Sequence, residues 1–97
     1  MNWPTFVLEE GGLPTSEPKS MWIERDDKLL REFKFEDFQE AFTFMTRVAF
    51  LAEAQGHHPA MHNEYNYVRI ELCTHDAGNV VTQRDRQLAA AIDKILS

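Results

Sequence analysis

A helical period of apolar residues in the middle of the chain restricts the fold more than any other feature. The residues that keep to one side of an α-helix over about four turns are Phe38, Ala41, Phe42, Met45, Val48, Ala49 and Ala52. Asp37 and Glu40 have the spacing of a capping box, and Gly56 suits the position just past a helix end. We therefore predict a helix between Asp37 and Gly56. Phe44 and Phe50 fall outside this face, which indicates burial on more than one side.

Alternating apolar and polar residues on both sides of this helix predict β-strands. Residues 21–24 and 29–35 form a predicted hairpin around a turn at 25–27. Residues 67–73 alternate again, and residues 60–65 leave room for a further short strand. The outward face of residues 67–73 is largely polar, and an edge position there would favour pairing with a second copy of the chain.

A second helix is predicted to close the chain, because Thr82 and Asp85 resemble another capped start. Its apolar stripe consists of Leu88, Ala91, Ile92 and Ile95. We expect the first helix, with Phe42 at the centre of its face, to pack on this stripe and on the apolar side of residues 67–73. The order of elements predicts an α+β fold with an antiparallel sheet and its helices on one face.

Length and charge narrow the class of protein. Ninety-seven residues suffice for one domain. The prolines and glycines concentrated in residues 1–20 predict an irregular arm, which leaves residues 21–97 as the domain.

Ten basic and sixteen acidic residues give a net charge of −6, which argues against direct nucleic-acid binding and against adhesion to anionic membranes. The chain has no apolar run near the ~18 residues that a membrane span requires. One cysteine, Cys73, excludes an internal disulfide and favours a cytoplasmic location.

All four histidines lie close together in the sequence, and histidine can give and take a proton near neutral pH. They are His57, His58, His62 and His75. Glu53 precedes His57 by one helical turn and could orient its imidazole. A plainer interpretation treats His57 and His58 as helix-terminal residues, His75 as a turn residue and His62 as surface. Adjacent histidines seldom converge on one ion, so we predict no metal site.

Several motifs in order give a more specific indication. GHHP follows a helix that ends in AEAQ, and NEYNYV, THDAG and TQRD come after it. A pattern before the helix agrees with them: Leu29, Arg31, Phe33, Phe35, Asp37 and Phe38. Residues 21–97 thereby resemble the pterin-4a-carbinolamine dehydratases. The resemblance implies a four-stranded antiparallel sheet with two or three helices on one face, and a homodimer or homotetramer. It also implies dehydration of 4a-hydroxytetrahydropterin to quinonoid dihydropterin without a metal or cofactor.

The resemblance also implies the site. Its catalytic residues would be Glu53, His57, His58, His75 and Asp85. Its substrate-binding residues would be Gly56, His57, His58, Met61, Cys73, Thr74, His75 and Asp76. His57 and His75 would carry protons, His58 would hold the pterin, and Glu53 would tune the pair. Met61 stands where the family commonly has an aromatic residue.

An alternative from another class is a binding module that keeps the fold but holds a protein partner or a different pterin. The mammalian member of the family has such a second role, as a dimerisation cofactor of a homeodomain transcription factor. A module that has lost catalysis should have lost one of the three site histidines. Because this chain retains all three, the sequence favours the enzyme.

Overall fold

A four-stranded sheet and two helices make up the computed structural model, which describes residues 21–96. The elements are β1 (Ile23–Arg25), β2 (Lys28–Lys34), α1 (Phe38–Gln55), β3 (Ala60–Glu64), β4 (Tyr67–Leu72) and α2 (Gln83–Leu96). All strand pairs are antiparallel, in the order β1-β2-β4-β3. The predicted α+β class is confirmed. The irregular arm predicted for residues 1–20 lies outside the described residues. Neither helix within residues 21–96 is long and apolar enough to span a bilayer.

The local signals for α1 and for the first hairpin act as their residue types predict. The Asp37 carboxylate accepts a hydrogen bond from the Glu40 backbone N–H at 2.9 Å, which caps the helix start. Gly56 ends the helix in the left-handed conformation, with φ 64°, which residues with a Cβ adopt at a cost. Asp26 and Asp27 have φ of 53° and 63°, as a two-residue turn between β1 and β2 requires.

Strand β4 lies inside the sheet, so the edge position that would have favoured pairing with a second copy does not occur there. It pairs with β2 on one side and with β3 on the other, and the edges of the described sheet are β1 and β3. Alternation within one strand shows which residues face the core, but it carries no information on how many neighbours the strand has.

The core lies between the sheet and the two helices. Its buried apolar residues are Leu29, Phe33, Phe35, Ala41, Phe44, Val48, Ala52, Val68, Ile70, Leu72, Leu88, Ala89, Ile92, Ile95 and Leu96. The predicted inward sides of β4 and α2 are confirmed at Val68, Ile70, Leu72, Leu88, Ile92 and Ile95.

Helix α1 buries part of the predicted face, at Ala41, Val48 and Ala52, but not the two phenylalanines of that face. Phe38 and Phe42 are 47% and 53% exposed, whereas Phe44 is fully buried. The ring of Phe44 lies 4.8 Å from that of Phe33 and 5.0 Å from that of Phe35, measured between centroids. Apolar residues of α1 lie around much of its circumference, so the helical period alone is compatible with burial of either of two faces. Contact with Phe33 of β2 and with Phe35, just after that strand, selects the face that contains Phe44.

Candidate active site

Three chain segments meet at one end of the sheet and enclose a cavity of about 160 Å³. They are the end of α1, the segment after β4 and the first turn of α2. The cavity is lined by Gly56, His57, His58, Thr74, His75, Asp76 and Arg84. Six of these seven residues belong to the predicted site, so residues that are distant in sequence meet as the resemblance implied.

The turn at the end of α1 gives its two adjacent histidines different environments. After left-handed Gly56, the backbone N–H of His57 still bonds to the Ala52 carbonyl at 3.0 Å. His57 is 6% exposed, and its side chain points into the protein. His58 lies on the exposed side of the same turn. One imidazole is therefore fixed by the interior, and the other stands at the cavity mouth.

A buried carboxylate holds His57. Its Nε2 lies 2.5 Å from Oδ1 of Asp85, which is fully buried. Oδ2 of Asp85 accepts hydrogen bonds from the Thr74 hydroxyl at 2.7 Å and from the Thr82 backbone N–H at 2.9 Å. Burial by itself raises the pKa of Asp85, but the hydrogen bonds from His57, Thr82 and Thr74 outweigh it and hold the pKa below its usual value. The Asp85 carboxylate is therefore ionised, and both of its oxygens accept hydrogen bonds.

The contact with Asp85 determines which nitrogen of His57 is available for chemistry. An ionised carboxylate accepts hydrogen bonds, so the proton of neutral His57 stays on Nε2. Nδ1 then carries the lone pair. Such a backing carboxylate fixes the orientation of the imidazole, as acid–base catalysis requires. Asp85 also fulfils the predicted capping role at the start of α2, through the Thr82 backbone.

The second site histidine is held by the loop after β4. Nδ1 of His75 lies 2.7 Å from Oδ1 of Asn79, an acceptor, so Nδ1 carries the proton and Nε2 is left as the acceptor of the neutral ring. Asn79 has φ 62°, a conformation that asparagine tolerates well. The backbone N–H of Thr74 donates to the Val80 carbonyl at 2.8 Å, which closes the loop.

Glu53 contacts a different histidine from the one predicted. Its Oε1 lies 3.0 Å from Nε2 of His58, and both side chains are exposed. His57 turns away because left-handed Gly56 interrupts the helical geometry that would have placed it above Glu53. Glu53 therefore orients the exposed imidazole, while Asp85 orients the buried one.

Arg84 is a site residue that the sequence analysis missed. Its Nη2 donates to the Gly56 carbonyl at 2.8 Å, and its Nη1 lies 3.9 Å from Oδ2 of Asp76. The guanidinium thus joins all three segments around the cavity. Its position in TQRD, beside Asp85, was the available signal, since the first turn of α2 faces the histidines.

Two other predicted residues lie away from this cavity. Met61 is partly buried against the core, on the helix side of β3. Cys73 is a free thiol that lines an adjoining cavity with His58 and His75. Within residues 21–96, no group of three or more His, Cys, Asp or Glu side chains is arranged to hold a metal ion.

Known proteins share this sequence and fold. The family described as pterin 4 alpha carbinolamine dehydratase has a model that matches residues 11–95. The chain belongs to this family.

Individual relatives agree with the family assignment. A protein of Chloroflexus aggregans with a provisional pterin-4-alpha-carbinolamine dehydratase name is 53% identical over 74 residues, which are 76% of this chain and 78% of the relative. One of Prochlorococcus marinus, named in the same way, is 48% identical over 84% of each chain.

Two solved structures are similar to this dehydratase-family chain. The crystal structure of a transcriptional coactivator/pterin dehydratase from Brucella melitensis has a TM-score of 0.73 and 40% identity, over 78% of this chain and 82% of the other. A pterin dehydratase-like protein that is a RuBisCO assembly factor in the alpha-carboxysome has a TM-score of 0.67 and 27% identity, over 81% and 92%. The second shows that this fold also serves protein assembly.

Proposed function

We propose that the protein dehydrates a 4a-hydroxytetrahydropterin to the quinonoid dihydropterin and water, as a step in tetrahydropterin recycling. One observation carries the proposal: His57, His58 and His75 line a single cavity, and a buried carboxylate backs the first of them. Membership of the dehydratase family supports the same reaction.

The reaction needs two proton transfers, and the site offers two oriented imidazoles. The bond between C4a and its hydroxyl oxygen breaks as a proton reaches that oxygen, which leaves as water. The proton on N5 departs, and a double bond forms between C4a and N5. The histidine that protonates the hydroxyl starts as the imidazolium and ends neutral. The histidine that takes the N5 proton starts neutral and ends as the imidazolium, so exchange of protons with water restores both. We assign these transfers to Nδ1 of His57 and Nε2 of His75, each worth about 10² to 10⁴-fold in rate. His58 binds the ring.

Stopped-flow dehydration tests this activity. The 4a-hydroxytetrahydropterin is generated in the first mixing step, and its decay is followed with and without the protein. At saturation we expect decay at least ~10²-fold faster than the spontaneous reaction, because positioned acid and base groups act together. A chelator should leave the rate unchanged, since the proposed chemistry uses imidazoles alone.

A folded protein that leaves the spontaneous rate unchanged would contradict the dehydratase proposal. That result would favour the second candidate, a binding module that holds a protein partner or a different pterin. The RuBisCO assembly factor shows that a pterin dehydratase-like fold can take part in protein assembly. Exposed aromatic residues on α1 favour some protein contact in either case, with Phe38 and Phe42 47% and 53% exposed.

We further infer that the protein is a homodimer or homotetramer. One stripe of α1, here called the outer stripe, consists of Phe38, Phe42, Met45 and Ala49. The rings of Phe38 and Phe42 contact each other at 5.6 Å, and both are about half exposed. Burial of one such ring is worth about 1.5–3 kcal/mol. The spacing of the outer stripe matches that of residues in a helix–helix interface. We therefore infer that a second copy of the chain buries the stripe.

Analytical ultracentrifugation tests the assembly. At micromolar concentration we expect a dimer or tetramer of the 11.3 kDa chain, which Phe42→Glu should shift towards the monomer. Phe50→Glu is the matched control, since it changes an equally aromatic, more exposed residue outside the outer stripe. An 11.3 kDa species alone for the unaltered protein would contradict the inference.

A cytoplasmic location fits these proposals. The thiol of Cys73 is free and is the single cysteine of the chain. A reducing compartment keeps such a thiol reduced.

A further inference from the structure

The loop that holds His75 has two consecutive residues in the left-handed conformation. They are Gly78 and Asn79, with φ of 94° and 62°. Glycine adopts this conformation freely, and among residues with a side chain asparagine and aspartate tolerate it best. The backbone N–H of Asn79 donates to the Thr74 carbonyl at 3.0 Å, and that of Gly78 donates to the His75 carbonyl at 3.1 Å. The loop therefore suits only a few residue types at position 79, and glycine would meet the demands of its backbone equally well.

The side chain of Asn79 makes a contact that glycine could not make. Its Oδ1 lies 2.7 Å from Nδ1 of His75, within the range of a hydrogen bond. Free neutral histidine in water prefers to carry its single proton on Nε2. An acceptor at Nδ1 reverses this preference, because the proton must lie on Nδ1 for the hydrogen bond to form. Both side chains are exposed, so water competes for the same groups and limits the size of the effect.

The cavity holds its two proposed proton carriers in opposite tautomers. The buried Asp85 carboxylate keeps the proton of neutral His57 on Nε2, and Asn79 keeps the proton of neutral His75 on Nδ1. We assign the proton transfer of His75 to Nε2. If His75 takes a proton there, it must start with a lone pair on Nε2, and if it gives one, it must end with a lone pair on Nε2. Both roles therefore require the Nδ1–H tautomer of the neutral ring.

Resting on the proposed function, we propose that Asn79 is a positioning residue, whose side-chain carbonyl fixes the Nδ1–H tautomer of His75 and so keeps Nε2 available for proton transfer. Asn79 lines neither cavity of the candidate site and acts only through His75. Its role differs from that of Asp85, because the amide is neutral and adds no charge beside the ring.

Nitrogen-15 NMR of the imidazole rings tests the tautomer without any need for turnover. Spectra are recorded at alkaline pH, where neutral rings predominate, and the His75 signals are those that disappear in His75→Ala. In the unaltered protein we expect the proton on Nδ1. Asn79→Gly keeps the left-handed backbone but removes the acceptor, so it should move the tautomer ratio roughly tenfold towards Nε2–H, the usual effect of one hydrogen bond. Asn79→Asp retains an acceptor on a residue that tolerates the same backbone, so it should keep the proton on Nδ1.

Stopped-flow kinetics test whether the tautomer matters for the reaction. Only the Nδ1–H tautomer is competent, so Asn79→Gly should lower kcat in proportion to the population of that tautomer that it loses, up to roughly tenfold. KM should change little, because the binding contacts remain. Asn79→Asp should restore most of kcat. The matched control is Asp26→Gly, which alters another left-handed residue, with φ 53°, in the turn between β1 and β2 and should change neither the tautomer nor kcat.

Three results would overturn the role of Asn79. The first is a proton on Nε2 of neutral His75 in the unaltered protein, because the Asn79 amide would then donate to Nδ1. The second is an unchanged tautomer ratio in Asn79→Gly, and the third is an equal loss of kcat in Asn79→Gly and Asn79→Asp, which a purely structural role of the loop would give. The expected tautomers without turnover contradict the dehydratase alone. Turnover by a protein whose His75 is in the Nε2–H tautomer contradicts the role of Asn79 alone.

Discussion

Replacement of His57 or His75 by Ala should lower kcat by at least ~10²-fold. Each substitution removes one of the two groups proposed to move a proton in the dehydration. The measurement is stopped-flow decay of 4a-hydroxytetrahydropterin over a range of substrate concentrations, with circular dichroism to verify the fold. The control is His62→Ala, which changes an exposed histidine of β3 outside both cavities of the candidate site and should keep the original rate.

His57 needs a second variant because its side chain also satisfies a buried carboxylate. Its loss removes one donor from fully buried Asp85, which costs about 1–3 kcal/mol or more and could unfold the protein. The amide of Gln at position 57 can donate a hydrogen bond to Asp85, but it cannot take up or release a proton near neutral pH. His57→Gln should therefore fold and remain slow. Original rates in a His57→Ala, His75→Ala double variant would contradict the catalytic assignment.

His58→Ala should show a different kinetic pattern, because we assign His58 to binding. Its imidazole is exposed, is oriented by Glu53 and lines both cavities of the candidate site. Loss of a binding contact raises KM more than it lowers kcat. A chelator that inhibits the unaltered protein would instead point to a metal-dependent reaction.

Phe44→Ala should reduce the free energy of unfolding by about 3–5 kcal/mol, the usual cost of removing a buried phenylalanine side chain. Phe44 is fully buried and its ring packs against Phe33 and Phe35. Small domains are stable by only about 5–15 kcal/mol, so the change removes a large share of the total. Urea denaturation followed by circular dichroism gives the value.

Phe50→Ala is the matched control, since it truncates the same residue type on the same helix at a site that is 72% exposed. Its effect should stay within about 0.5 kcal/mol. Phe44→Leu keeps most of the apolar volume and gives a folded variant with a smaller loss if Phe44→Ala does not fold. Equal losses for Phe44→Ala and Phe50→Ala would contradict the observed face of α1.

The limits of α1 and the first hairpin could be predicted because neighbouring residues determine them. The Asp37 carboxylate reaches the backbone three residues away, and Gly56 can take the left-handed conformation because it has no Cβ. The two aspartates between β1 and β2 likewise need only their own turn. Such interactions span a few residues, so the order of residues along the chain contains them.

The resemblance named several residues that the structure brings together, but it did not give the contacts between them. Gly56, His57, His58, Thr74, His75 and Asp76 do line one cavity. The partner of His57 is Asp85, 28 residues away, and not Glu53, one turn away. Left-handed Gly56, between α1 and the histidines, turns His57 away from the helix face that contains Glu53. Residue spacing along an ideal helix does not predict this turn. The roles assigned to these residues stay predictions.

The sequence by itself determined the element types, the helix ends and the inward sides of β4 and α2, because each depends on local hydrogen bonds or on one simple period. The tertiary structure decided which face of α1 is buried, since two apolar stripes compete and contact with Phe33 and Phe35 selects Phe44. It also decided that β4 is an interior strand and that Asp85 holds His57. These outcomes depend on contacts between residues far apart in the chain, and their free energies are settled only when all the surfaces pack together.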